Sequence, residues 1–261
     1  MAPIRRGIRS IALHGQRLLH LGPRGLCLVV GCPRSATSSV CRWLNAQPGL
    51  VYASQSRILV CAHRLVEEVE RLKTLEANRE AVLRMTRRLV YTYYASSWLC
   101  WRRILVDKEN LEPVALPDGR YGEFLRSVRE LFPGMKLLFM IREPVATIWS
   151  ITQRQWGYSL TRPDLRSYSV EDGIGIWQAS AQLAVHYFGD PGAYICRFER
   201  LVAAPHAESR RILDFLGIRD GRPFSPRPTR VVGFSEADRE HILHATKGVQ
   251  DALPPGRGDS P

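Results

Sequence analysis

The amino-terminal part of this sequence lacks acidic side chains. No Asp or Glu precedes Glu67, whereas nine Arg do, and the whole chain has a formal net charge of +12 with only four Lys among its 37 basic residues. Because no carboxylate offsets these arginines, the early part of the chain provides a strongly positive environment. An anionic ligand is therefore favoured there.

Cysteine pairs and long hydrophobic runs are also missing. The six Cys form no C-x-x-C pair and no Cys/His cluster at zinc spacing, which argues against a zinc ribbon or a disulfide framework and predicts reduced thiols in a cytoplasmic protein. The longest apolar runs, at residues 26–30 and 137–141, are much shorter than the about 20 residues that cross a bilayer. The sequence therefore predicts no membrane span.

The two ends of the chain differ in composition from its middle. Residues 1–22 are a basic extension in which Arg9, Arg17 and His20 interrupt any signal-peptide core. This extension resembles a transit peptide in being rich in Arg and free of acids, but a basic leading helix is the favoured interpretation. Residues 251–261 are predicted to be a disordered tail, which leaves residues 23–250 for a single domain.

This domain is predicted to be α/β, a three-layer sandwich with a central, mostly parallel sheet. Short apolar runs alternate with longer helical patterns, which is typical of parallel strands joined by crossover helices. The predicted strands are residues 26–30, 104–106, 137–141 and 194–196, and a helical pattern covers residues 65–99. Ligands of such sheets bind at the carboxyl ends of the strands.

A run of hydroxyl side chains follows the first predicted strand. In LCLVVGCPRSATSSV, residues 26–40, an apolar strand ends at Gly31, Pro33 fixes a turn, and Arg34 with four hydroxyl residues leads into a helix. The first N–H groups of a helix have no partner within it and can bind an anion, while a guanidinium suits a tetrahedral oxyanion. The stretch predicts a P-loop-like phosphate-binding turn. The alternative is an ordinary helix capped by Ser or Thr.

A nucleotide kinase is one alternative enzyme. The pattern G-x-x-x-x-G-K-[ST] of nucleotide-triphosphate loops fails here because position 36 is Ala and no Lys follows. Kinase chemistry also needs magnesium. In the sequence, only Asp107 of RILVDKE follows an apolar strand in the way expected of a magnesium ligand.

The stretch GCPRSATSS resembles the 5′-phosphosulfate loop of sulfotransferases that use 3′-phosphoadenosine 5′-phosphosulfate (PAPS), whose pattern is G-x-P-[KR]-[SA]-G-[TS]. Ala36 departs from the usual Gly. The resemblance implies the P-loop-like fold of this family. It also assigns donor binding to seven residues of the loop: Gly31, Pro33, Arg34, Ser35, Ala36, Thr37 and Ser38.

A second stretch, KLLFMIREPVATIWS, is similar to the family's 3′-phosphate site, in which a Ser follows the strand-ending Arg by eight residues. Arg142 and Ser150 have that spacing, and Pro144 suits the first helical turn between them. The alternative for Arg142 is a surface ion pair. A third stretch, YICRFERLVAAPHAESRRILDFLGI, is similar to a further family region that we interpret as scaffold. The resemblance covers about residues 26–217.

The resemblance implies that one sulfuryl group moves from PAPS to a hydroxyl or amine of a small-molecule or carbohydrate acceptor, by in-line displacement without a metal. A sulfuryl group carries less negative charge than a phosphoryl group, so fixed donors and one or two cations can replace magnesium. A protein that binds nucleotides or polyanions without turnover remains a further alternative. Nucleic acid is not an expected partner, since the sequence has no zinc finger, RNP-like strand or basic region followed by heptads. The oligomeric state is not predicted.

At both positions where the family usually has its general base, this sequence has a different residue. Some branches have a Glu before a second shared Arg, but here Gln55 precedes Arg57. Another branch has a His two residues after a Lys, but here Asn110 follows Lys108 at that spacing. An amide is not a base near neutral pH.

The predicted catalytic residues are Arg34, Lys108, Glu109 and His63. The resemblance implies that Arg34 neutralises the negative charge that grows on the leaving group. Glu109 is favoured over His63 as the base, because the carboxyl ends of strands face the ligand cleft. The alternatives are that Glu109 pairs with Lys108 or an Arg, and that His63 is a satisfied surface histidine.

Overall fold

A computed structural model describes residues 24–53, 56–71, 79–97, 103–111, 120–153, 167–226 and 233–254. The strands are β1 Gly25–Gly31, β2 Leu50–Tyr52, β3 Ile104–Asn110, β4 Lys136–Ile141 and β5 Ala193–Arg197. The helices are α1 Thr37–Asn45, α2 Ile58–Arg71, α3 Arg79–Ser97, α4 Tyr121–Leu131, α5 Pro144–Thr152, α6 Val170–His186, α7 Phe198–Ala203, α8 Pro205–Leu216 and α9 Glu236–Ala252.

The strands form one sheet in the order β2-β3-β1-β4-β5, and every neighbouring pair is parallel. All five carboxyl ends therefore lie at the same edge, as the rule for ligand sites in such sheets requires. The predicted α/β fold with a parallel sheet is confirmed, and each of the four predicted strands is present. The three-residue edge strand β2 was not predicted.

Side chains of the central strands alternate between two hydrophobic clusters, one on each face of the sheet. Leu28 and Phe139 pack on one face with α2, α3, α4, α5, α6 and α9. Val29 and Met140 pack on the other face with α1, α7 and α8. Because adjacent residues of a strand point to opposite faces, both faces of this sheet need an apolar cover, which gives the three layers.

Two predicted boundaries differ in the structure. The helical pattern over 65–99 falls on two described helices, α2 and α3, and residues 72–78 between them lie outside the described ranges. At the carboxyl end, α9 continues to Ala252 and Leu253 is buried, past the predicted start of the tail at 251. Within the described ranges, no helix is both long and apolar enough to cross a membrane.

Candidate active site

Gly31 ends β1 where three strand ends lie side by side. Its register partners are Asn110 on β3 and Met140 on β4. A Cβ atom at this position would lie 2.5 Å from the carbonyl oxygen of Met140 and 2.8 Å from Oγ of Ser35. Only glycine allows the loop that follows to return so closely over the end of the sheet.

The loop between β1 and α1 turns through two residues in the left-handed region. Arg34 has φ 71° and Ala36 has φ 69°, a conformation that costs a residue with a Cβ roughly 1–2 kcal/mol. The family pattern has Gly at position 36, and the backbone explains why Gly suits it. The buried hydroxyl of Ser35 donates to the carbonyl oxygen of Cys32 at 2.7 Å and holds the turn. A direct contact of that hydroxyl with a ligand stays a prediction.

The amino end of α1 is left open. Among the residues that the structure describes, no side chain caps this helix, and its first turn has no acidic residue. The first N–H groups of α1 therefore point to a position that suits an anion. Thr37 is buried and donates from Oγ1 to Oδ1 of Asn110 at 3.2 Å, whereas Ser38 is exposed at the mouth of the loop.

Three cationic side chains surround this open helix end. Nε of Arg34 donates to Oγ of Ser150 on α5 at 2.8 Å. Nη1 of Arg142 donates to the carbonyl oxygen of Arg34 at 3.4 Å. On the β3 side, Nζ of Lys108 donates to Oγ of Ser38 at 3.0 Å. The two motifs singled out in the sequence therefore form one contiguous basic site, and its donor set suits two phosphate-like groups.

Adjacent residues of β3 point to opposite faces of the sheet. Lys108 reaches Ser38 on the α1 face, whereas the buried carboxylate of Asp107 lies on the other face and accepts from the hydroxyl of Tyr94 at 2.7 Å and from the backbone N–H groups of Ser56 and Lys108. Burial raises the pKa of Tyr94 well above its ordinary value. Asp107 is thus engaged in the interior, which weighs against a role as a magnesium ligand.

Glu109 also lies away from the face on which Lys108 binds the loop. Its side chain is 3% exposed and forms an ion pair with Arg57, and Arg57 itself has a left-handed backbone with φ 58°. The ion pair agrees with the alternative given for Glu109, although a role as the base is not tested by this contact. Gln55, two residues before Arg57 in the sequence, lies outside the described residues.

His63 is buried on α2, where its side chain packs against α4. Its Nδ1 is 3.1 Å from Oγ of Ser127, its Nε2 is 3.4 Å from a carboxylate oxygen of Glu67, and its ring packs against Phe124. Burial lowers the pKa of the imidazole, which favours the neutral form near neutral pH. His63 is therefore a buried histidine rather than a surface one, and these contacts do not place it beside the loop.

Sequence reasoning missed several residues that shape the site. Asn110 was considered only as a substitute for a base, yet it binds Thr37. The predicted strand stopped at Val106, whereas β3 continues to Asn110 and pairs it with Gly31 at the start of the loop. The contacts of Asp107 with Ser56 and Tyr94 link residues far apart in the chain. No local pattern predicts such long-range contacts.

Comparisons with known proteins agree with the motifs. A model of the sulfotransferase family matches residues 27–221. A protein-tyrosine sulfotransferase of Drosophila melanogaster is 29% identical over 207 residues, which are 74% of this chain and 38% of that protein. Protein-tyrosine sulfotransferase A of Caenorhabditis elegans is 28% identical over 198 residues, which are 72% of this chain and 48% of that protein.

A solved structure supports the fold. The crystal structure of a sulfotransferase from Alicyclobacillus acidocaldarius superimposes with a TM-score of 0.56 at 18% identity and covers 88% of this chain and 94% of that one. At this identity the similarity bears on the fold alone. The chain matches less than half the length of both curated relatives.

Proposed function

Because this chain belongs to the sulfotransferase family, whose model matches residues 27–221, we propose that it transfers a sulfuryl group from PAPS to an acceptor hydroxyl without a metal ion. The family predicted from three sequence stretches is confirmed. The observation that best supports the donor is the hydrogen bond between Arg34 and Ser150. This bond joins the loop expected to bind the 5′-phosphosulfate to the helix expected to bind the 3′-phosphate.

In this proposal each element of the site has one task. The open amino end of α1 and the hydroxyls of Thr37 and Ser38 bind the 5′-phosphate, which suits their position at the end of β1. Arg34 neutralises the charge that grows on the bridging oxygen as the sulfuryl group leaves. Lys108, buried beside Ser38, adds a second cation on the other side of the loop. Arg142 and Ser150 bind the 3′-phosphate.

The nucleotide kinase is the weaker alternative. Its candidate magnesium ligand, Asp107, is buried and accepts from Ser56, Tyr94 and Lys108. A kinase would require magnesium for turnover, whereas the sulfotransferase is expected to work equally well with a chelator present. Activity that depends on magnesium and on a nucleoside triphosphate would contradict our proposal.

The acceptor is proposed as a hydroxyl group. Sequence reasoning favoured a small molecule or a carbohydrate. The two curated relatives are named protein-tyrosine sulfotransferases, which adds a tyrosine hydroxyl of a peptide to the candidates. The cytoplasmic location stays a prediction.

One experiment tests the transfer itself. The protein is incubated with ³⁵S-labelled PAPS and, in separate reactions, with a tyrosine-containing acidic peptide, a set of oligosaccharides and a set of small phenols and alcohols. Label is expected in one acceptor class. Label only in free sulfate, with tight binding of the desulfated nucleotide, would instead support a binding protein without turnover.

The general base is tested with two variants. If Glu109 is the base, Glu109→Gln keeps nucleotide affinity, loses roughly 10²-fold or more in turnover and removes the acid limb of the pH profile. If His63 is the base, His63→Ala has this effect instead. If neither variant loses turnover, neither residue is the general base, and a group on the acceptor takes the proton.

A further inference from the structure

The residue that follows β5 lies directly beside the residue that follows β4. The two strands are parallel neighbours, and Ile141 is paired with Arg197 at their carboxyl ends. Arg142 and Phe198 are the next residues on each chain segment. The guanidinium carbon of Arg142 lies over the ring of Phe198, 5.4 Å from its centroid.

The peptide bond after Arg142 is held from both sides. Its carbonyl oxygen accepts a hydrogen bond from Nε1 of Trp177 at 2.8 Å, and Trp177 is buried on α6. Its N–H, which belongs to Glu143, donates to Oε1 of Glu199 at 2.9 Å. Because one donor and one acceptor fix the same peptide unit, the strand-to-helix turn carrying Arg142 has a defined orientation.

The side chain of Glu143 cannot replace Glu199 in this contact. Its two carboxylate oxygens accept from the N–H groups of Val145 and Ala146, which caps α5. The backbone N–H of Glu143 therefore depends on a residue from another element. Glu199 is exposed in the first turn of α7, where a carboxylate is favoured by the helix dipole, and its contact with the Glu143 N–H does not result from core packing.

We propose that Phe198 and Glu199 are positioning residues that hold Arg142 ready for the 3′-phosphate of the donor. This inference rests on the proposed function and assigns a role to a region interpreted from the sequence as scaffold. A free Arg side chain loses rotamer freedom when it binds an anion, so an Arg already held over a ring binds more tightly. Phe198 restricts the guanidinium, and Glu199 restricts the backbone beneath it.

A purely structural role for Phe198 would rest on its contact with Phe224, whose ring centroid is 6.4 Å away. A variant that only loosens this packing would lower the affinity for all nucleotides alike. A positioning role is selective, since only a ligand with a 3′-phosphate senses Arg142. The test therefore compares adenosine 3′,5′-bisphosphate (PAP) with adenosine 5′-monophosphate, which lacks that group.

Both nucleotides are titrated calorimetrically into the full-length protein and its Phe198→Leu variant. The affinity for PAP is expected to fall by about 2- to 5-fold, the range that a cation–ring contact contributes at a partly exposed site. The affinity for the monophosphate should not change. In an Arg142→Ala background, which has already lost the 3′-phosphate contact, Phe198→Leu should have no further effect.

Phe215→Leu is the matched control. The ring of Phe215 packs in the same layer and also carries a cation, with Nζ of Lys136 5.2 Å from its centroid, but it does not contact Arg142. This variant loses a comparable ring and should keep both affinities. The inference would be overturned if Phe198→Leu lowered the affinity for both nucleotides equally. It would also be overturned if Phe198→Leu lowered PAP affinity just as much in the Arg142→Ala background.

Glu199 gives a second test that does not depend on core packing. Glu199→Ala removes the acceptor of the Glu143 N–H and should lower PAP affinity, whereas Glu199→Gln keeps an acceptor oxygen and removes a negative charge. PAP affinity in Glu199→Gln is therefore expected to equal or exceed that of the parent. PAP affinity that is unchanged in Glu199→Ala would refute the role of Glu199. A parent protein that binds no PAP would refute the proposed function itself, which is a different result.

Discussion

The helices α1 and α5 both begin just after a central strand, yet their amino ends are built differently. At α1 the N-cap is Ala36, and among the described residues no side chain caps the helix. At α5 the N-cap is Glu143, whose carboxylate accepts from two N–H groups of the first turn, and Pro144 occupies the first position. The amino end of α5 is thus capped by a carboxylate of the chain itself, whereas the amino end of α1 is not.

This difference separates two ways of binding an anion. The open end of α1 offers backbone N–H groups, whose positions are fixed by the helix. The end of α5 is already occupied by a carboxylate, so its contribution must come from side chains, Arg142 and Ser150. We therefore expect changes at the α1 end to affect the reacting group and changes at the α5 end to affect donor affinity or stability.

The largest effect is expected from Arg34→Ala at the α1 end. Turnover should fall by about 10²-fold or more, the loss typical for one donor that stabilises transition-state charge. The fold should persist, because Ala and Arg both carry a Cβ and have a similar backbone cost at φ 71°. Steady-state kinetics with saturating PAPS and circular dichroism provide the measurements.

Arg42→Ala is the control for Arg34→Ala. Arg42 is exposed in the last turn of the same helix, where its guanidinium is 3.5 Å from Oγ of Ser39. Its removal should leave turnover unchanged. Equal turnover in the parent and in Arg34→Ala would show that the reacting group does not bind at the α1 end. The proposed functional difference between the two helix ends would then be wrong.

The next effect concerns the close return of the loop over β1. Gly31→Ala places a Cβ 2.5 Å from the carbonyl oxygen of Met140, so backbone must shift, at a cost of roughly 1–3 kcal/mol in the free energy of unfolding. PAP affinity should fall with it, because the α1 end moves. Gly25→Ala in the same strand meets nothing closer than Ile104 at 3.9 Å and should be tolerated. Urea unfolding and a PAP titration distinguish the two variants.

Local sequence patterns predicted the α1 end well, because its parts are neighbours in the chain. A strand that ends at Gly31, a turn and a run of hydroxyls follow one another in the chain. The spacing between Arg142, which follows β4, and Ser150 on α5 is similarly local, and the structure places both residues beside the loop. Their role in binding PAPS remains a prediction.

The residues around β3 show where local reasoning stops. The strand was predicted to end at Val106, but it continues to Asn110. Strand alternation therefore applies to Lys108 and Glu109 and directs them to opposite faces, which the shorter prediction did not include. The partner of Glu109 is Arg57, which immediately precedes α2, and the partner of His63 is Ser127 on α4. These contacts depend on how helices pack on the sheet, and no residue pattern encodes that directly.

A smaller effect is expected at the α5 end. Glu143→Ala removes the carboxylate that caps two N–H groups, which should lower the free energy of unfolding by about 1 kcal/mol. Donor affinity should be retained, since the capped end does not bind the donor. Glu80→Ala, in the exposed first turn of α3, should change stability by less than about 0.5 kcal/mol. A loss of turnover in Glu143→Ala with unchanged stability would contradict the assignment of this end.

The smallest effect, and the one of opposite sign, is expected from Ala36→Gly. Ala36 holds φ 69°, which costs an L-residue roughly 1–2 kcal/mol, and Gly relieves this cost but loses about 0.4–1 kcal/mol through its freer unfolded chain. The net result should be a gain in stability of about 0–1.6 kcal/mol, with turnover unchanged because the N–H groups stay in place. Ala46→Gly, at the other end of α1 with φ −83°, has no strain to relieve and should lose about 0.5–1 kcal/mol. If thermal unfolding shows that both variants are destabilised alike, the open end of α1 is not held under backbone strain, and the Ala that replaces the family's Gly has no energetic consequence.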